Sequence, residues 1–281
     1  MNAYVVSHNG MGDNLYMIGG LRYLTNFYDK VYFICKQKYY SNISLFFSDE
    51  PKIICLPVDN EKECDEIKTL YNNKFNDSND KDDLFVCGHR HKQNCTPRIN
   101  NKSFSEHNRP DNKYNIDFDT ITTRNYYFLL CFYSDLRLNI GIYFDYFKVP
   151  QTEESINLYN SIKHFEKIIF IQLKCSQGKC LNIQNLKDKY YDNEDTILIC
   201  NDMNLYDKDS DNENIQKKYQ LSSNFVFNKL VYYLDTIKNS DEIYIIDSCF
   251  VGMILPLVKT NQLKADPTRI ILRGLSHLHP I

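Results

Sequence analysis

Apolar residues along this chain gather into short unbroken runs rather than alternating with polar ones. "AYVVSH" near the amino terminus, "KVYFICK" at 30–36 and "PKIICLPV" at 51–58 are three such runs. A strand with one wet face would alternate, so unbroken runs of this length predict strands covered on both faces. Between the first two, Leu15, Ile18, Leu21, Leu24 and Tyr28 recur at spacings of three and four. That period predicts a helix over 15–28. Strand, helix and strand in this order imply a parallel sheet covered by helices, the α/β class.

The pattern weakens over 59–115, a polar stretch rich in Asn, Asp and Lys, where "DLFVCGHR" predicts one further strand. Residues 123–138, "TRNYYFLLCFYSDLRL", are aromatic and mostly helical in pattern. Pro150 then ends whatever precedes it. Thr152 with Glu153 and Glu154 behind it supplies a cap and first-turn acids for a helix running to about His164. Beyond this point the strand–helix rhythm begins afresh. Strands are expected at 167–174, 195–202, 241–248 and 268–273, with helices at 228–240 and 250–259. No internal sequence repeat is present, so what recurs is architecture. Two α/β halves are expected, 1–149 and 150–281, hinged near Pro150 and facing a cleft at the carboxyl ends of their strands, where open α/β sheets bind ligands.

Composition adds limits to this picture. With 281 residues, 43% of them hydrophobic, the chain can bury one large core or two ordinary ones. A net charge of −3 gives no general attraction to nucleic acid or to an anionic membrane, so any anion site must be local. The ten cysteines are scattered singly, often inside apolar runs (Cys35, Cys55, Cys131, Cys200), as reduced buried thiols are. No basic segment followed by an apolar one opens the chain, and no apolar run reaches the roughly 18 residues of a membrane span. A soluble, cytoplasmic protein is expected. Abundant Asn, Asp, Lys, Ile and Tyr with no Trp match the bias of an AT-rich genome, such as a protist, a low-GC bacterium or a large DNA virus. In the last case the cytoplasm would be the host's.

Two turns hold the chemistry. In "VVSHNGMGDNLY", Gly10 and Gly12 stand between the first strand and its helix, where positive φ or close backbone approach would make room for a phosphate or a sugar hydroxyl. The Lys-Ser/Thr ending of a phosphate-binding loop is missing, as is a GxGxxG fingerprint. Asp13 reads either as a cap for the helix or as a carboxylate able to take a proton from a hydroxyl. "DEIYIIDSCFVGMILPL" mirrors this arrangement, delivering Asp247, Ser248 and Cys249 to the start of a helix. Backbone N–H groups there, with the Ser248 hydroxyl, would suit a diphosphate, and either Asp247 or Ser248 would equally serve as a plain cap.

Other candidates lie beside the second turn. In "FIQLKCSQGKCL", Lys174 follows a strand and Ser176 and Lys179 lie in its loop, where a cation could offset a leaving phosphate; a solvated loop lysine is the simpler reading. In "NDMNLYDK", Asn201, Asn204 or Tyr206 could meet a base or ribose, or form an ordinary polar turn. "CGHRHKQNC" places Cys87, His89, His91 and Cys95 close together, but the spacing lacks the separated pairs of zinc modules, and no metal is assigned.

"GMGDNLYMIGGL" after an initial strand resembles the amino-terminal motif of the ADP-heptose:lipopolysaccharide heptosyltransferase group, and "SDEIYIIDSCFVGMILPL" resembles that group's carboxyl-terminal Asp-Thr/Ser-Gly loop and helix. The resemblance covers both ends and the two-halved layout. It implies a GT-B glycosyltransferase with two Rossmann-like domains, the first on the acceptor side and the second holding a nucleotide-sugar. No metal or other cofactor is implied. Asp13 matches the proposed base, with Gly10, Gly12 and Asn14 around it. Asp247, Ser248 and Cys249 match the donor-phosphate loop, with Lys174, Ser176 and Asn201 nearby. Cys249 replaces the usual glycine, and Gly252-Met253 stands where His-Leu is expected, so the donor's identity does not carry over. The implied activity is inverting transfer of a sugar to a glycan or other hydroxyl-bearing acceptor, with no nucleic-acid partner. A fucosyltransferase-like GT-B enzyme, which shares Gly-Met-Gly, and an inactive sugar- or nucleotide-binding relative remain as alternatives.

Overall fold

A computed structural model describes residues 1–7, 10–59, 62–74, 82–88, 123–175, 178, 180–246 and 248–273. The described residues divide into two compact units, one ending at Pro150 and the other starting at Gln151. Each is an α/β layer structure around one parallel sheet.

In the first unit, strands β1 (Asn2–Val6), β2 (Lys30–Lys36), β3 (Ile53–Val58) and β4 (Asp83–Val86) form a four-stranded sheet in the order β3-β2-β1-β4. All pairs are parallel, with Val5 opposite both Phe33 and Phe85. Ala3, Val5, Val31 and Phe33 are fully buried, as expected of strands that read as continuous apolar runs. Helices α1 (Met11–Tyr16), α2 (Ile18–Leu24), α3 (Gln37–Ile43), α4 (Glu63–Lys74), α5 (Thr123–Asp135) and α6 (Gly141–Asp145) connect and cover it.

The helix expected over 15–28 is two helices, broken at Met17 and ending at Leu24. Packing explains the break. A Cβ on Gly19 would lie 2.6 Å from the Tyr143 carbonyl oxygen and 2.7 Å from that of Ile142, and the Gly20 N–H donates to the Tyr133 hydroxyl at 2.9 Å. Gly19 thus brings α2 against the α6 backbone and Gly20 brings it against Tyr133 of α5, a demand the apolar period does not reveal.

The second unit repeats the plan. Strands β5 (Lys167–Gln172), β6 (Thr196–Cys200), β7 (Glu242–Ile246) and β8 (Ile270–Arg273) form a parallel sheet in the order β6-β5-β7-β8. Its helices are α7 (Glu153–Ile162), α8 (Gln184–Tyr190), α9 (Glu213–Ser223), α10 (Leu234–Asn239) and α11 (Cys249–Lys259). Thr152 caps α7 by accepting the Ser155 N–H at 3.1 Å, with Glu153 and Glu154 in the first turn. The helix expected over 228–240 starts as a 3-10 turn, Leu230–Tyr233, and becomes α-helical only as α10.

Of the two readings open for Asn204 and Tyr206, contact with a base or ribose or a polar turn, their bonds fit the turn, and they hold the β6 exit together. Asn204 donates to the Tyr219 carbonyl and the Ser223 hydroxyl, both at 2.8 Å, and accepts from the Ser222 hydroxyl at 2.7 Å. Tyr206 is 4% exposed, and its hydroxyl accepts the Leu198 N–H at 2.8 Å. β6 is an edge strand, so this bond covers a donor that pairing would otherwise leave open. Among the described residues no helix is long and apolar enough to cross a membrane.

Candidate functional site

Both candidate turns lie at the carboxyl ends of sheet strands, one in each unit. In the first unit, Ser7 follows β1 and its hydroxyl donates to Asn14 Oδ1 at 2.5 Å. The Asn14 amide donates in turn to the Gly10 carbonyl at 2.7 Å, and the Gly10 N–H donates to Asp13 Oδ2 at 2.8 Å. The Asp13 carboxylate, at the third position of α1, folds back over the residue that precedes the helix, one half of a capping box. Its orientation is therefore fixed.

The glycines act differently from the sequence expectation. Gly10 has φ −91°, an extended conformation open to any residue, and among the described residues the positive-φ glycines are Gly88 and Gly178. Gly10 is small for another reason: a Cβ there would stand 2.7 Å from Asp13 Oδ2. Gly12 lies inside α1. Asn14, expected beside a ligand, is 2% exposed and braces the turn from within. His8 and Asn9 lie outside the described residues.

The second unit's edge is less complete. Gln172 ends β5 and is 4% exposed; its Nε2 donates to the Lys174 carbonyl at 2.6 Å and to Asp202 Oδ2 at 3.2 Å. Those two acceptors fix the amide's orientation, and Gln172 Oε1 is buried with no hydrogen-bond partner among the described residues. Asn201, immediately after β6, buries Oδ1 in the same condition. Ser248, two residues after β7, is the residue before α11, yet its hydroxyl makes no capping bond and is also buried without a partner. The sheet order puts these three residues on neighbouring strands, in the sequence Asn201, Gln172, Ser248. Across the sheet they cover two interstrand steps, about 10 Å, with Asn201 level with Gln172 and Ser248 three residues beyond Ile245, the residue opposite Gln172.

Asp202 organises the same edge. Its Oδ2 accepts the Leu173 N–H at 3.0 Å and the Lys174 N–H at 2.8 Å, as well as the Gln172 amide. Burial raises its pKa, and the Lys174 and Leu173 N–H groups, the Lys174 charge and the Gln172 amide oppose that rise. Burial, with the Asp202 charge added, pushes the Cys249 thiol up to about 12. Cys249 is thus a neutral group at physiological pH and adds no negative charge at the start of α11. The Lys174 side chain is exposed.

Ser176, Lys179 and Asp247 lie outside the described residues, as do His89, His91 and Cys95. Cys87 is fully buried. Among the described residues no group of three or more His, Cys, Asp or Glu side chains could hold a metal ion. Gln172 and Asp202 were absent from the sequence-derived set. The available signal was a lone Gln closing the otherwise apolar strand "KIIFIQ" and an acid just past the end of "TILIC".

The chemistry of the second edge is specific in kind. Gln172 Oε1 and Asn201 Oδ1 accept hydrogen bonds, so they suit hydroxyl or amino hydrogens and repel phosphate oxygens. Ser248 can donate, and it stands at the amino end of an eleven-residue helix, which favours an anion. A ligand with hydroxyl or amine groups at one end and an anion at the other would satisfy all three.

No protein-family model matches the chain, and no curated protein matches it. Among solved structures it is similar to the E. coli ADP-heptose lipopolysaccharide heptosyltransferase II, at 12% identity and a TM-score of 0.49, over 98% of this chain and 90% of that one. It is also similar to the E. coli heptosyltransferase WaaC with ADP, at 10% identity and a TM-score of 0.46, over 98% and 91%. WaaC with ADP-2-deoxy-2-fluoro heptose gives 9% identity and a TM-score of 0.46, over 97% and 93%.

Proposed function

We propose that the chain is a glycosyltransferase that moves a sugar from a nucleotide-sugar to a hydroxyl acceptor. The second unit binds the donor and Asp13 of the first serves as base. The observation that carries this reading is the trio of buried, unpartnered polar atoms at Gln172, Asn201 and Ser248. Two acceptors and one hydroxyl at a helix amino end complement a molecule with ribose, base or sugar hydrogens on one side and a diphosphate on the other. The motif resemblance at both ends of the chain points the same way.

The diphosphate lies at the start of α11, taking a hydrogen bond from Ser248, with the helix end and the Lys174 side chain offsetting its charge. Ribose or sugar hydroxyls donate to Gln172 Oε1 and Asn201 Oδ1. The neutral Cys249 thiol adds no repulsion. Asp13 accepts the proton of the acceptor hydroxyl. The freed oxygen attacks the anomeric carbon while the bond from that carbon to the diphosphate oxygen breaks. The electron pair leaves with the nucleoside diphosphate, and attack from the opposite face inverts the centre. The Gly10 N–H, which fixes the carboxylate, leaves it aligned before the acceptor arrives.

A thermal-shift panel of ADP-, GDP-, UDP- and CMP-linked sugars tests the donor half. A ligand at one hundred times its Kd adds about 2.7 kcal/mol, which raises the melting temperature by roughly 5–10 °C. Incubation of the stabilising donor with candidate glycans tests transfer. Asp13→Asn keeps an oxygen for the Gly10 N–H, so the fold and donor binding persist while transfer falls roughly a hundredfold or more. Full transfer by Asp13→Asn would overturn its role as base. Donor binding with no transfer to any acceptor, in the wild type, would favour the inactive binding protein.

A further inference from the structure

Phe227 is the most exposed large apolar residue described, at 83% of its surface, and it has φ 58°, a left-handed conformation that phenylalanine rarely adopts. Nothing about that conformation is loose. The Phe227 N–H donates to the Asn201 carbonyl at 2.9 Å, and the Asn228 N–H donates to the Tyr233 hydroxyl at 3.1 Å. The Tyr233 hydroxyl donates to the Phe225 carbonyl, and Tyr233 and Phe225 are both fully buried. A rigid turn thus holds an aromatic side chain in solvent, on a residue whose backbone bonds directly to that of Asn201. A strained backbone that the surroundings over-determine is a mark of a functional position. Met203, two residues past Asn201, is another exposed apolar side chain, at 42%. The β6 exit therefore combines an apolar surface with the unpartnered Asn201 Oδ1.

We propose that Phe227 is the stacking platform for the nucleobase of the donor. This rests on the donor-site reading of the second unit and deepens it. A nucleobase has apolar faces and polar edges, and the β6 exit offers both complements: the Phe227 ring for a face and Asn201 Oδ1 for a ring or exocyclic N–H. The order along the edge agrees. The base lies at β6, the ribose near Gln172 on β5, and the diphosphate at Ser248, which follows β7 two strands across from β6 and three residues beyond the level of Gln172. Stacking is tolerant of base identity, and the Asn201 acceptor favours bases that present an N–H or amino group.

The test uses calorimetric titration of the full chain with ADP, GDP and UDP, and with inorganic pyrophosphate as a probe without a base. Phe227→Asn keeps a residue at home in the left-handed conformation and removes the ring. It is expected to weaken the best nucleoside diphosphate about tenfold or more, to leave pyrophosphate binding unchanged, and to melt at or above the wild-type temperature. Phe227→Tyr is expected to bind as the wild type does. Equal nucleotide affinity in wild type and Phe227→Asn overturns the platform while the donor site stands, and so does an equal loss for pyrophosphate. A wild-type chain that binds none of the diphosphates overturns the donor site and the platform together.

Discussion

Ser248→Ala separates a ligand-binding hydroxyl from a helix cap by the sign of its effect. A serine that caps a helix contributes about 0.5–2 kcal/mol, and its alanine variant loses that much stability. The Ser248 side chain makes no capping bond, so that loss does not apply. Its hydroxyl is buried without a protein partner, a state that costs about 1–3 kcal/mol when nothing else satisfies the group. A water in the ligand-free protein would reduce that cost toward zero. Removing the hydroxyl should therefore leave stability unchanged or raise it by up to about 2 kcal/mol. Urea unfolding would read this as an equal or higher midpoint with an unchanged slope. Binding should move the other way. A hydrogen bond to a charged group is worth about 1.5–3 kcal/mol, so the Kd for a nucleoside diphosphate should rise roughly 10- to 150-fold. Titration calorimetry measures it directly. A midpoint lowered by the equivalent of about 1 kcal/mol, with the Kd unmoved, would make Ser248 an ordinary cap and refute the reasoning.

Two further outcomes follow from the geometry. Gly19→Ala forces a Cβ to 2.6 Å from the Tyr143 carbonyl oxygen, a backbone atom, and should cost at least the ~1–3 kcal/mol typical of overpacking. Gly20→Ala meets the Leu136 Cδ1 side-chain atom at 2.5 Å, which can shift, so it should cost less; thermal melts of the two variants would rank them. Asp202 titrates above the usual 3.8 in the folded chain because of burial. The folded state therefore holds the proton more tightly than the unfolded one, and stability from this group is complete below 3.8 and is lost as the pH rises through the folded value. Urea midpoints across the acid range should show wild type losing stability relative to Asp202→Asn over that interval, then a constant offset. An opposite slope would mean that hydrogen bonds to the carboxylate outweigh its burial.

The sheets were legible because a buried parallel strand has no wet face, and its unbroken apolar run survives in any sequence. β2 covers the very residues expected, and β5, β6 and β7 lie inside their expected spans. Polar helices were not. α8 is "QNLKDKY" and α9 is "ENIQKKYQLSS", each with few apolar residues turned inward, so their periods are faint. The break at Met17 was hidden because it depends on packing against α5 and α6, more than a hundred residues away. Among candidate residues, the sequence located the turns but not the direction of each side chain. Asn14, Asn204 and Tyr206 had the right chemistry in the right loops, yet all three close bonds within the protein. Gln172 and Asp202 looked like the ends of strands, and only the pairing of β5 with β6 brings them together.

The two candidate edges differ in a way that assigns them different work. Around Asp13 the recorded bonds run in a connected set, from Ser7 to Asn14 to Gly10 to the carboxylate itself. Such a set holds one group in one orientation, which suits a base that must meet a proton at a fixed place. At the second edge, Gln172, Asn201 and Ser248 each leave a buried polar atom without a partner among the described residues. Unsatisfied groups of this kind cost about 1–3 kcal/mol each, so three of them cost roughly 3–9 kcal/mol against the 5–15 kcal/mol by which a typical domain is stable. A chain that needed only to fold would fill those positions with apolar residues or pair them internally, as it does at Asn204. Among the described residues Arg22 Nε and Thr236 Oγ1 share this condition, but only Gln172, Asn201 and Ser248 gather at one sheet edge, where water or a ligand could supply their partners. Under the proposed reading the second unit is completed by a bound donor, whose hydrogens meet the two carbonyl oxygens and whose diphosphate meets the hydroxyl.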